Sequence, residues 1–433
     1  MKHLLKTLII GLLTWEARRV LARYQPKLIA VTGSVGKTST KDAIFTCLKD
    51  HVHVRKTEKS FNSDVGVPLT ILGVPNAWHD PLGWLRNAVR GARLAFGPRR
   101  PYPAWLVLEI GGDKPGDVRH LCRWLTPDVV VLTRFPDIPV HVEFFASPED
   151  LIAEDRNLVR ALADDGVLIV NEDDPRTRQE LTRGTQRKVS YGCGAGAEVR
   201  AQEVRVAQDA TGQPSGMRFT LSAHGETVEV EVPGVVGEAS IYALLAGAAV
   251  ALEVGVPLST LAQAFADHEA PRGRMRLIAG ARGELIIDDS YNSSPVALAA
   301  ALDTLASLPA AGRRIAVLGD MLELGGYARA CHEEAGRHAG RVLDLLLTVG
   351  VRSKDLARAA REVGMEAGAV IECADSYQAG ATLTELAREG DVILVKGSQS
   401  GIRTERVVKA LMAEPARAGE LLVRQEPEWL AKA

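Results

Sequence analysis

The chain has 433 residues, of which 46% are hydrophobic and 24% are charged, and its formal net charge at pH 7 is -2. This length predicts about two to four domains of ~150 residues, and the composition is that of an ordinary globular protein. Because the net charge is close to zero, a nucleic-acid-binding surface would have to be a local basic patch. We predict no nucleic-acid partner. The five cysteines show no C-x-x-C pair or metal-ligand spacing, which is typical of reduced thiols in a cytoplasmic protein.

The N-terminal segment, residues 1–26, is mostly apolar from Leu4 to Trp15. It is shorter than the ~20 apolar residues that a membrane-spanning helix needs. No clear cleavage site for a signal peptide follows it. We therefore predict an apolar helix that either packs on the body of the protein or lies on a membrane surface.

A short apolar run, residues 27–31, leads into a glycine-rich loop and then into a helical pattern that begins at Lys37. This order is typical of a phosphate site, because loop N–H groups and the helix dipole attract an anion. The loop departs from G-x-x-x-x-G-K-[ST], since Val31 stands at the first glycine, and a plain turn with a solvated lysine is the alternative. We predict that Lys37 reaches the terminal phosphates and that the Thr38 hydroxyl binds Mg²⁺. The predicted nucleotide-binding loop contains Gly33, Ser34, Val35, Gly36, Lys37, Thr38 and Ser39.

Residues 82–100 combine Trp84 and other apolar side chains with several arginines. Such a basic amphipathic stretch favours an anionic lipid surface. The alternative is a surface helix that caps the core.

The chain between residues 27 and 270 alternates short apolar strands with helical stretches, which is typical of a parallel sheet buried on both faces. Residues 198–232 alternate differently and contain turn residues, so we predict an inserted antiparallel β layer there. After residue 271 a second strand–helix alternation predicts a smaller Rossmann-like domain. The predicted fold class is thus α/β, with an N-terminal helix (1–26), a P-loop central domain (27–270) and a C-terminal domain (271–433).

Polar residues follow several of the predicted strands. Glu109 ends the strand at 106–110, where a carboxylate would face the ligand crevice and bind Mg²⁺, unless it is simply solvated. His141 follows the strand at 129–132 and is either structural or a ligand. In the C-terminal domain, polar loops at 288–295, 318–325 and 396–400 converge on one edge. Two α/β domains that close on a nucleotide suit a reaction whose phosphorylated intermediate must be kept from water.

Together these motifs resemble the Mur ligase family, and most of all its branch that adds D-alanyl-D-alanine. The resemblance covers most of residues 28–410. The matching segments are TGSVGKT (32–38), GVPLTIL (66–72), LEIG (108–111), HVE (141–143), NEDD (171–174), DSYN (289–292), LGDMLELG (318–325) and VKGS (395–398).

The resemblance implies an ATP- and Mg²⁺-dependent ligase that forms an acyl phosphate and then an amide. The implied partners are a small-molecule or lipid-linked peptide substrate and an amine-bearing amino acid or dipeptide. By the same resemblance, Lys37, His141 and Lys396 serve catalysis. Thr38, Glu109 and His141 bind the metal, and Asn292 and Asp320 bind the nucleotide.

Several departures from the family pattern limit this prediction. Only about 26 residues precede the first strand, so we expect no N-terminal domain for a uridine nucleotide. Asp155 stands where many members carry a carbamylated lysine, and Asp155 or Glu154 could supply the same charge to Mg²⁺ from a shorter arm. Glu238 and Ala239 replace a His-Asn pair, and residues 75–104 resemble an insertion. These departures favour peripheral membrane contact through the N-terminal helix and residues 82–100.

Three functions stay open at this point. The first is a cell-wall peptide ligase. The second is the same chemistry outside peptidoglycan, and the third is a non-catalytic ATP-binding homologue.

Overall fold

The computed structural model describes residues 2–58, 61–78, 80–399 and 401–431, with side chains from Leu8 onward. Its strands form two sheets. The first sheet contains β1 (Lys27–Thr32), β2 (Val54–Lys56), β3 (Trp105–Glu109), β4 (Val129–Leu132), β5 (Val167–Asn171), β6 (Arg187–Gly192), β7 (Val199–Gln208), β8 (Pro214–Ala223) and β9 (Glu226–Pro233). The second contains β10 (Arg276–Ala279), β11 (Leu285–Asp289), β12 (Arg314–Gly319), β13 (Leu345–Val349), β14 (Val370–Cys373) and β15 (Val392–Lys396).

The α-helices connect the strands and pack against the two sheets. In chain order they are α1 (Lys2–Tyr24), α2 (Lys37–Leu48), α3 (Gly66–Leu72), α4 (Pro81–Phe96), α5 (Asp117–Cys122), α6 (Pro148–Asp155), α7 (Asn157–Arg160), α8 (Pro175–Arg178), α9 (Glu238–Val254), α10 (Leu258–Ala266), α11 (Pro295–Ser307), α12 (Ala328–Val342), α13 (Ser353–Glu362), α14 (Ser376–Leu386), α15 (Glu405–Leu411), α16 (Ala418–Leu421) and α17 (Pro427–Leu430). Short 3₁₀ turns lie at 142–144, 179–182, 325–327, 367–369 and 415–417.

The first sheet has the order β2-β3-β1-β4-β5-β6-β7-β8-β9. Strands β1 to β6 pair in parallel, and Val31 of β1 lies opposite Glu109 of β3. The carboxyl ends of β1, β3 and β4 therefore meet at one edge, where a ligand crevice is expected. The fold class predicted from the sequence is confirmed.

The predicted antiparallel layer over residues 198–232 is present as β7, β8 and β9, but it does not form a separate sheet. Tyr191 and Gly192 of β6 pair in parallel with the start of β7, so the layer continues the first sheet. The helical stretch that precedes β5 is divided into α6 and α7 at Arg156, whose guanidinium lies 2.9 Å from the Glu180 carboxylate.

The second sheet has the order β10-β11-β15-β12-β13-β14, and only β10 pairs antiparallel. At its edge Lys396 of β15 lies opposite both Asp289 of β11 and Leu318 of β12. The polar loops that follow β11, β12 and β15 therefore leave the sheet side by side, as the sequence predicted.

The N-terminal helix α1 packs on the body of the protein through one face. Leu13, Ala17 and Val20 are buried in the core that includes α3 and one face of the first sheet. The opposite face is exposed at Leu8 and Trp15. Within the described residues, no helix is both long and apolar enough to cross a membrane. The side chains of residues 4–7, which begin the apolar segment, lie outside the described residues.

Helices α1 and α4 bury a carboxyl group between them. Glu16 is 2% exposed, its Oε2 has no hydrogen-bond partner among the described residues, and a Cβ on Gly91 would lie 2.0 Å from that oxygen. Burial raises the pKa of Glu16 from 4.5 to about 7. The folded chain therefore holds a proton that the unfolded chain has already released, so stability falls as the pH rises from about 4.5 to 7.

We expect Glu16→Gln to raise the free energy of unfolding by up to about 3 kcal/mol at pH 8, and to change it little at pH 4.5. Urea unfolding at both pH values measures this difference. Glu226→Gln, an exposed site, is the control. An equal effect of Glu16→Gln at both pH values would show that the carboxyl is solvated.

Candidate functional site

The glycine-rich loop after β1 has the backbone geometry of a phosphate cradle. Gly33 and Gly36 have φ values of +125° and +92°, which side chains rarely adopt. A Cβ on Gly33 would also lie 2.2 Å from the Thr133 hydroxyl oxygen. Gly36 caps α2, so the first N–H groups of that helix point toward the loop.

Residues from this loop line a cleft of about 260 Å³ between the two sheets. Of the predicted loop, Ser34, Val35, Gly36, Lys37 and Thr38 line the cleft itself, whereas Ser39 lines a small adjoining pocket. Gly33 supports the loop: its carbonyl accepts a hydrogen bond from Lys37 Nζ. The loop thus faces the cleft with Lys37 and Thr38, and their contacts with phosphate and Mg²⁺ stay predictions.

Glu109 meets Thr38 inside this cleft. Thr38 Oγ1 donates a hydrogen bond of 3.2 Å to Glu109 Oε1. Glu109 is buried, and its Oε2 has no hydrogen-bond partner among the described residues. Burial raises the pKa of Glu109, whereas Lys41 and Lys37 favour its ionised form. A buried carboxylate with a free oxygen is a site that a cation would stabilise.

The donor set fits Mg²⁺ held together with a nucleotide. Within the described residues, no group of three or more His, Cys, Asp or Glu side chains could hold a metal ion by itself. Mg²⁺ needs no such cage, because it usually takes one or two carboxylates, substrate phosphates and water. Thr38 and the free oxygen of Glu109 would hold it beside the phosphate loop.

His141 lies on the cleft wall between the two halves of the molecule. Its ring Nδ1 is 2.7 Å from Glu323 Oε2, and its Nε2 is 3.5 Å from Asp113 Oδ1. Both carboxylates also line the cleft. His141 therefore lines the same cleft as the phosphate loop, and its ring contacts one carboxylate from a loop of each sheet.

Asp155 does not line the cleft. It is 3% exposed, and burial raises the pKa of its carboxyl to about 6, against the opposing effect of Lys37. Thr32 and His141 also favour its ionised form. Asp155 is thus a buried carboxylate near the lysine of the loop, and its contact with a metal stays a prediction.

The loop after β11 carries Asn292, which lines the cleft, and its contact with the nucleotide stays a prediction. Lys396 is buried, forms an ion pair with Asp289, and donates a 3.1 Å hydrogen bond to the Asn292 carbonyl. Burial lowers the pKa of Lys396, and Asp289 opposes that shift. Lys396 lines only the small adjoining pocket with Ser39, so in this structure it supports the Asn292 loop.

Asp320 is buried and lies away from the cleft lining. Its Oδ1 accepts a 2.7 Å hydrogen bond from the Ser353 N–H at the start of α13, and its carbonyl accepts one from the Ser398 N–H. The side chain therefore ties β12 to its neighbours, and its predicted contact with the nucleotide stays a prediction.

Several cleft residues were not among the predicted site residues, including Asn62, Asp113, Arg274 and Glu323. Arg274 is the most informative, because its guanidinium lies 4.3 Å from the Tyr291 ring centroid. Its Nε is buried without a hydrogen-bond partner among the described residues. The run PRGRMR contained the signal, but we interpreted it only as a domain boundary.

A second cavity of about 620 Å³ lies between the inserted strands, the start of α9 and α11. Its lining includes Arg205, Glu238 and Thr304, and the small pocket with Ser39 lies between it and the phosphate cleft. Glu238, which replaces a residue of the family's His-Asn pair, lies in this cavity.

Comparison with known families gives two matches. The model of the Mur ligase middle domain matches residues 31–82 and 99–251, and the model of the Mur ligase glutamate ligase domain matches residues 273–399. The interval between the two parts of the first match contains most of α4, within the predicted insertion.

Several curated proteins and solved structures are similar over most of the chain. A UDP-N-acetylmuramoyl-tripeptide--D-alanyl-D-alanine ligase of Mycobacterium tuberculosis is 32% identical, over 86% of this chain and 70% of that protein. The enzyme with the same name from Bacillus subtilis is 28% identical over 92% and 79%. The crystal structure of MurF ligase from Thermotoga maritima in complex with ADP has a TM-score of 0.75 at 23% identity, and covers 95% of this chain and 84% of that one.

Proposed function

Because the chain belongs to the Mur ligase family, we propose that it joins the carboxylate of a cell-wall-type peptide precursor to the amine of an amino acid or dipeptide, with cleavage of ATP to ADP and inorganic phosphate. One observation carries this proposal. Lys37 and Thr38 of the phosphate loop and Glu109 at the end of β3 face Arg274 and Asn292 across a single cleft. We include in the proposal the division into residues 1–26, 27–270 and 271–433.

The reaction has two steps. An oxygen of the substrate carboxylate takes the γ-phosphoryl group, the bond to the β-phosphate oxygen breaks, and ADP leaves. The amine nitrogen then attacks the acyl carbon, the bond to the phosphate oxygen breaks, and the nitrogen loses a proton. The products are an amide, ADP and inorganic phosphate.

The residues of the cleft suit these steps. Lys37 and Arg274 carry positive charge to the transferring phosphoryl group, where positioning and electrostatic stabilisation supply most of the catalysis. Bound Mg²⁺ would neutralise phosphate charge, held by Thr38 and Glu109. The loops of the two sheets enclose the cleft and protect an acyl phosphate from water.

The first dipeptide to test is D-alanyl-D-alanine, since the matched ligases are named for its addition. The experiment measures phosphate release from ATP and Mg²⁺ with pairs of carboxylates and amines. The carboxylates include UDP-linked and lipid-linked muramyl peptides, and the amines include free amino acids. We expect release only when both substrates are present. Release with non-peptidoglycan pairs would indicate the same chemistry in another pathway, and tight ATP binding without any release would contradict the ligase.

We further propose that the protein contacts a membrane through a surface that we call the docking face. The docking face consists of exposed apolar side chains on α1 and α4: Leu8, Leu12, Trp15, Leu82, Leu85, Val89 and Phe96. The two helices pack together, and the rings of Trp15 and Phe96 lie 5.3 Å apart, so the exposed residues join at that end. A contiguous exposed apolar patch across two helices is unusual on a protein surface that contacts only solvent.

The charge beside the docking face favours anionic lipid as its partner. Arg86, Arg90 and Arg93 recur at helical spacing on the exposed side of α4, next to the stripe of Leu82, Leu85 and Val89, while Asn87, Gly91 and Ala95 face the core. Arg19 of α1 lies over the Trp15 ring. Arginines beside aromatic and aliphatic side chains are typical of helices that lie in a lipid interface. A lipid-linked carboxylate substrate would agree with this surface.

Replacing Arg86, Arg90 and Arg93 together with Ala should weaken binding to anionic vesicles about 100-fold, at about 1 kcal/mol for each arginine. Co-sedimentation with phosphatidylglycerol vesicles at low salt measures the affinity. The control replaces Arg329, Arg337 and Arg341 on α12 with Ala, which changes the net charge equally. Wild-type protein that stays in the supernatant would contradict the docking proposal but not the ligase proposal.

A further inference from the structure

The loop that follows β11 is held by a buried arginine from the C-terminal end of the chain. Arg424 lies between α16 and α17 and is buried. Its Nη1 donates a 3.1 Å hydrogen bond to the Ser290 carbonyl, and its Nη2 donates one to the Tyr291 carbonyl. One planar guanidinium thus binds two successive carbonyls of a loop that lines the cleft.

A buried ion pair fixes this arginine in turn. Arg424 Nη1 also lies 3.0 Å from Glu405 Oε2, and the other carboxylate oxygen of Glu405 lies 2.9 Å from Arg403 Nε. Glu405 is fully buried at the start of α15. Arg424 has a φ of +58°, a strained conformation for a residue with a long side chain. Because these buried charges are paired and hydrogen-bonded, they hold the guanidinium rigidly against the two carbonyls.

The Tyr291 ring contacts both this arginine and an arginine that lines the cleft. The guanidinium carbon of Arg424 is 5.6 Å from the ring centroid, and that of Arg274 is 4.3 Å from it, both within cation–π distance. The backbone adds a second link, because the Tyr291 N–H donates a 3.1 Å hydrogen bond to the Gly273 carbonyl. A Cβ on Gly273, whose φ is +67°, would lie 2.8 Å from the Tyr291 nitrogen. The run that contains Arg274 therefore packs closely on the loop that Arg424 holds.

The Tyr291 ring orients Arg274. Arg274 Nε is buried and has no hydrogen-bond partner among the described residues. Packing on the ring, and not a hydrogen bond at Nε, therefore directs this guanidinium, which lines the cleft together with Lys37 and Thr38. A shift of the loop at Ser290 and Tyr291 would move the ring, and with it the positive charge that Arg274 brings to the cleft.

We propose that Arg424 is a positioning residue that fixes Arg274 in the cleft through the Tyr291 loop. Arg424 is not among the residues that line the cleft, so it acts through its neighbours. The inference rests on the proposed function, which assigns Arg274 to the transferring γ-phosphoryl group. Loss of the two carbonyl bonds should weaken the contact with a γ-phosphate. It should not change how the glycine-rich loop holds the other phosphates.

The test compares the affinities of the full-length protein for a non-hydrolysable ATP analogue and for ADP, by isothermal titration calorimetry with Mg²⁺. Arg424→Lys keeps a positive charge beside the buried Glu405 but lacks the planar fork that binds both carbonyls. We expect it to raise the Kd for the analogue about 10-fold, the size of one weakened charge-assisted hydrogen bond. The Kd for ADP should stay within twofold. Arg417→Lys is the matched control and should bind both nucleotides like the wild type, since Arg417 is exposed and pairs only with Glu414 and Glu420 among the described residues.

A double variant shows whether the effect passes through Arg274. Arg424→Lys should cause no further change in a protein that already carries Arg274→Ala, because the two residues act as one unit. Tyr291→Leu removes the ring and leaves the buried ion pair intact, so it should show the same selective loss as Arg424→Lys. Thermal unfolding of each variant confirms that it is folded, and Tyr291→Leu carries the test if Arg424→Lys does not fold.

Equal weakening of both nucleotides by Arg424→Lys would overturn the inference, since the arginine would then support the fold and not the cleft charge. Additive effects of Arg424→Lys and Arg274→Ala, or an unchanged Kd for the analogue, would overturn it as well. The ligase proposal is judged separately: a protein that shows the selective loss but releases no phosphate with any substrate pair would contradict that proposal alone. A wild-type protein that binds neither nucleotide would contradict both.

Discussion

Lys37→Ala should lower the rate of phosphate release about 1,000-fold, because the transferring phosphoryl group loses the lysine of the phosphate loop. Lys37 opens α2, lines the cleft, and bonds to the Gly33 carbonyl of its own loop. No other lysine lines this cleft among the described residues. Since the side chain is removed from the cleft surface and not from the core, the fold should persist.

The assay for this variant is initial-rate phosphate release with saturating carboxylate and amine. Lys49→Ala, an exposed lysine just after the same helix, is the matched control and should keep the wild-type rate. Arg274 remains in the variant and should preserve weak ATP binding. A Lys37→Ala protein with more than a tenth of the wild-type rate would show that the lysine does not act on the phosphoryl group.

The sequence predicted those parts of the site that local pattern determines. Strand, loop and helix start fix the places of Lys37 and Thr38, and a strand end fixes that of Glu109, because carboxyl ends of parallel strands share an edge. Family membership was predicted from the same motifs and is confirmed. These features depend only on the order of strands, loops and helices along the chain, and the sequence pattern indicates that order.

Side-chain direction was not predictable in the same way. Sequence spacing places Asp320 at a strand end, like Glu109, yet its carboxylate turns to the Ser353 N–H and away from the cleft. Lys396 likewise turns to Asp289 and supports a loop. The difference depends on which buried groups need a partner, and that is decided by tertiary packing.

Contacts across the cleft were the other gap. Glu323 lies 182 positions after His141, and nothing local in either segment indicates that the two meet. Arg274 came from a run that was assigned to a boundary, and the contact of that run with the loop after β11 places it beside Tyr291. The N-terminal helix was the opposite case. Of its two alternatives, packing on the body of the protein is found, since one face of α1 is buried, whereas membrane contact stays a prediction.

Glu109→Gln should separate stability from catalysis. Glutamine keeps the shape of the side chain and can still accept the Thr38 hydrogen bond, but it cannot carry the negative charge that a cation needs. Because burial raises the pKa of Glu109, the fold gains nothing from that charge. We therefore expect unchanged or slightly higher thermal stability, with phosphate release reduced about 100-fold at limiting Mg²⁺.

Glu180→Gln supplies the contrasting control for Glu109→Gln. Glu180 is also buried, but its carboxylate pairs with Arg156 and Arg183 at 2.9 Å, and it is not among the residues that line the cleft. Removing that charge should lower the unfolding temperature and leave the Mg²⁺ dependence of phosphate release unchanged. The two variants thus give opposite patterns from the same chemical change. If Glu109→Gln lost stability and kept its Mg²⁺ dependence, Glu109 would be a structural carboxylate and the cation would be held elsewhere in the cleft.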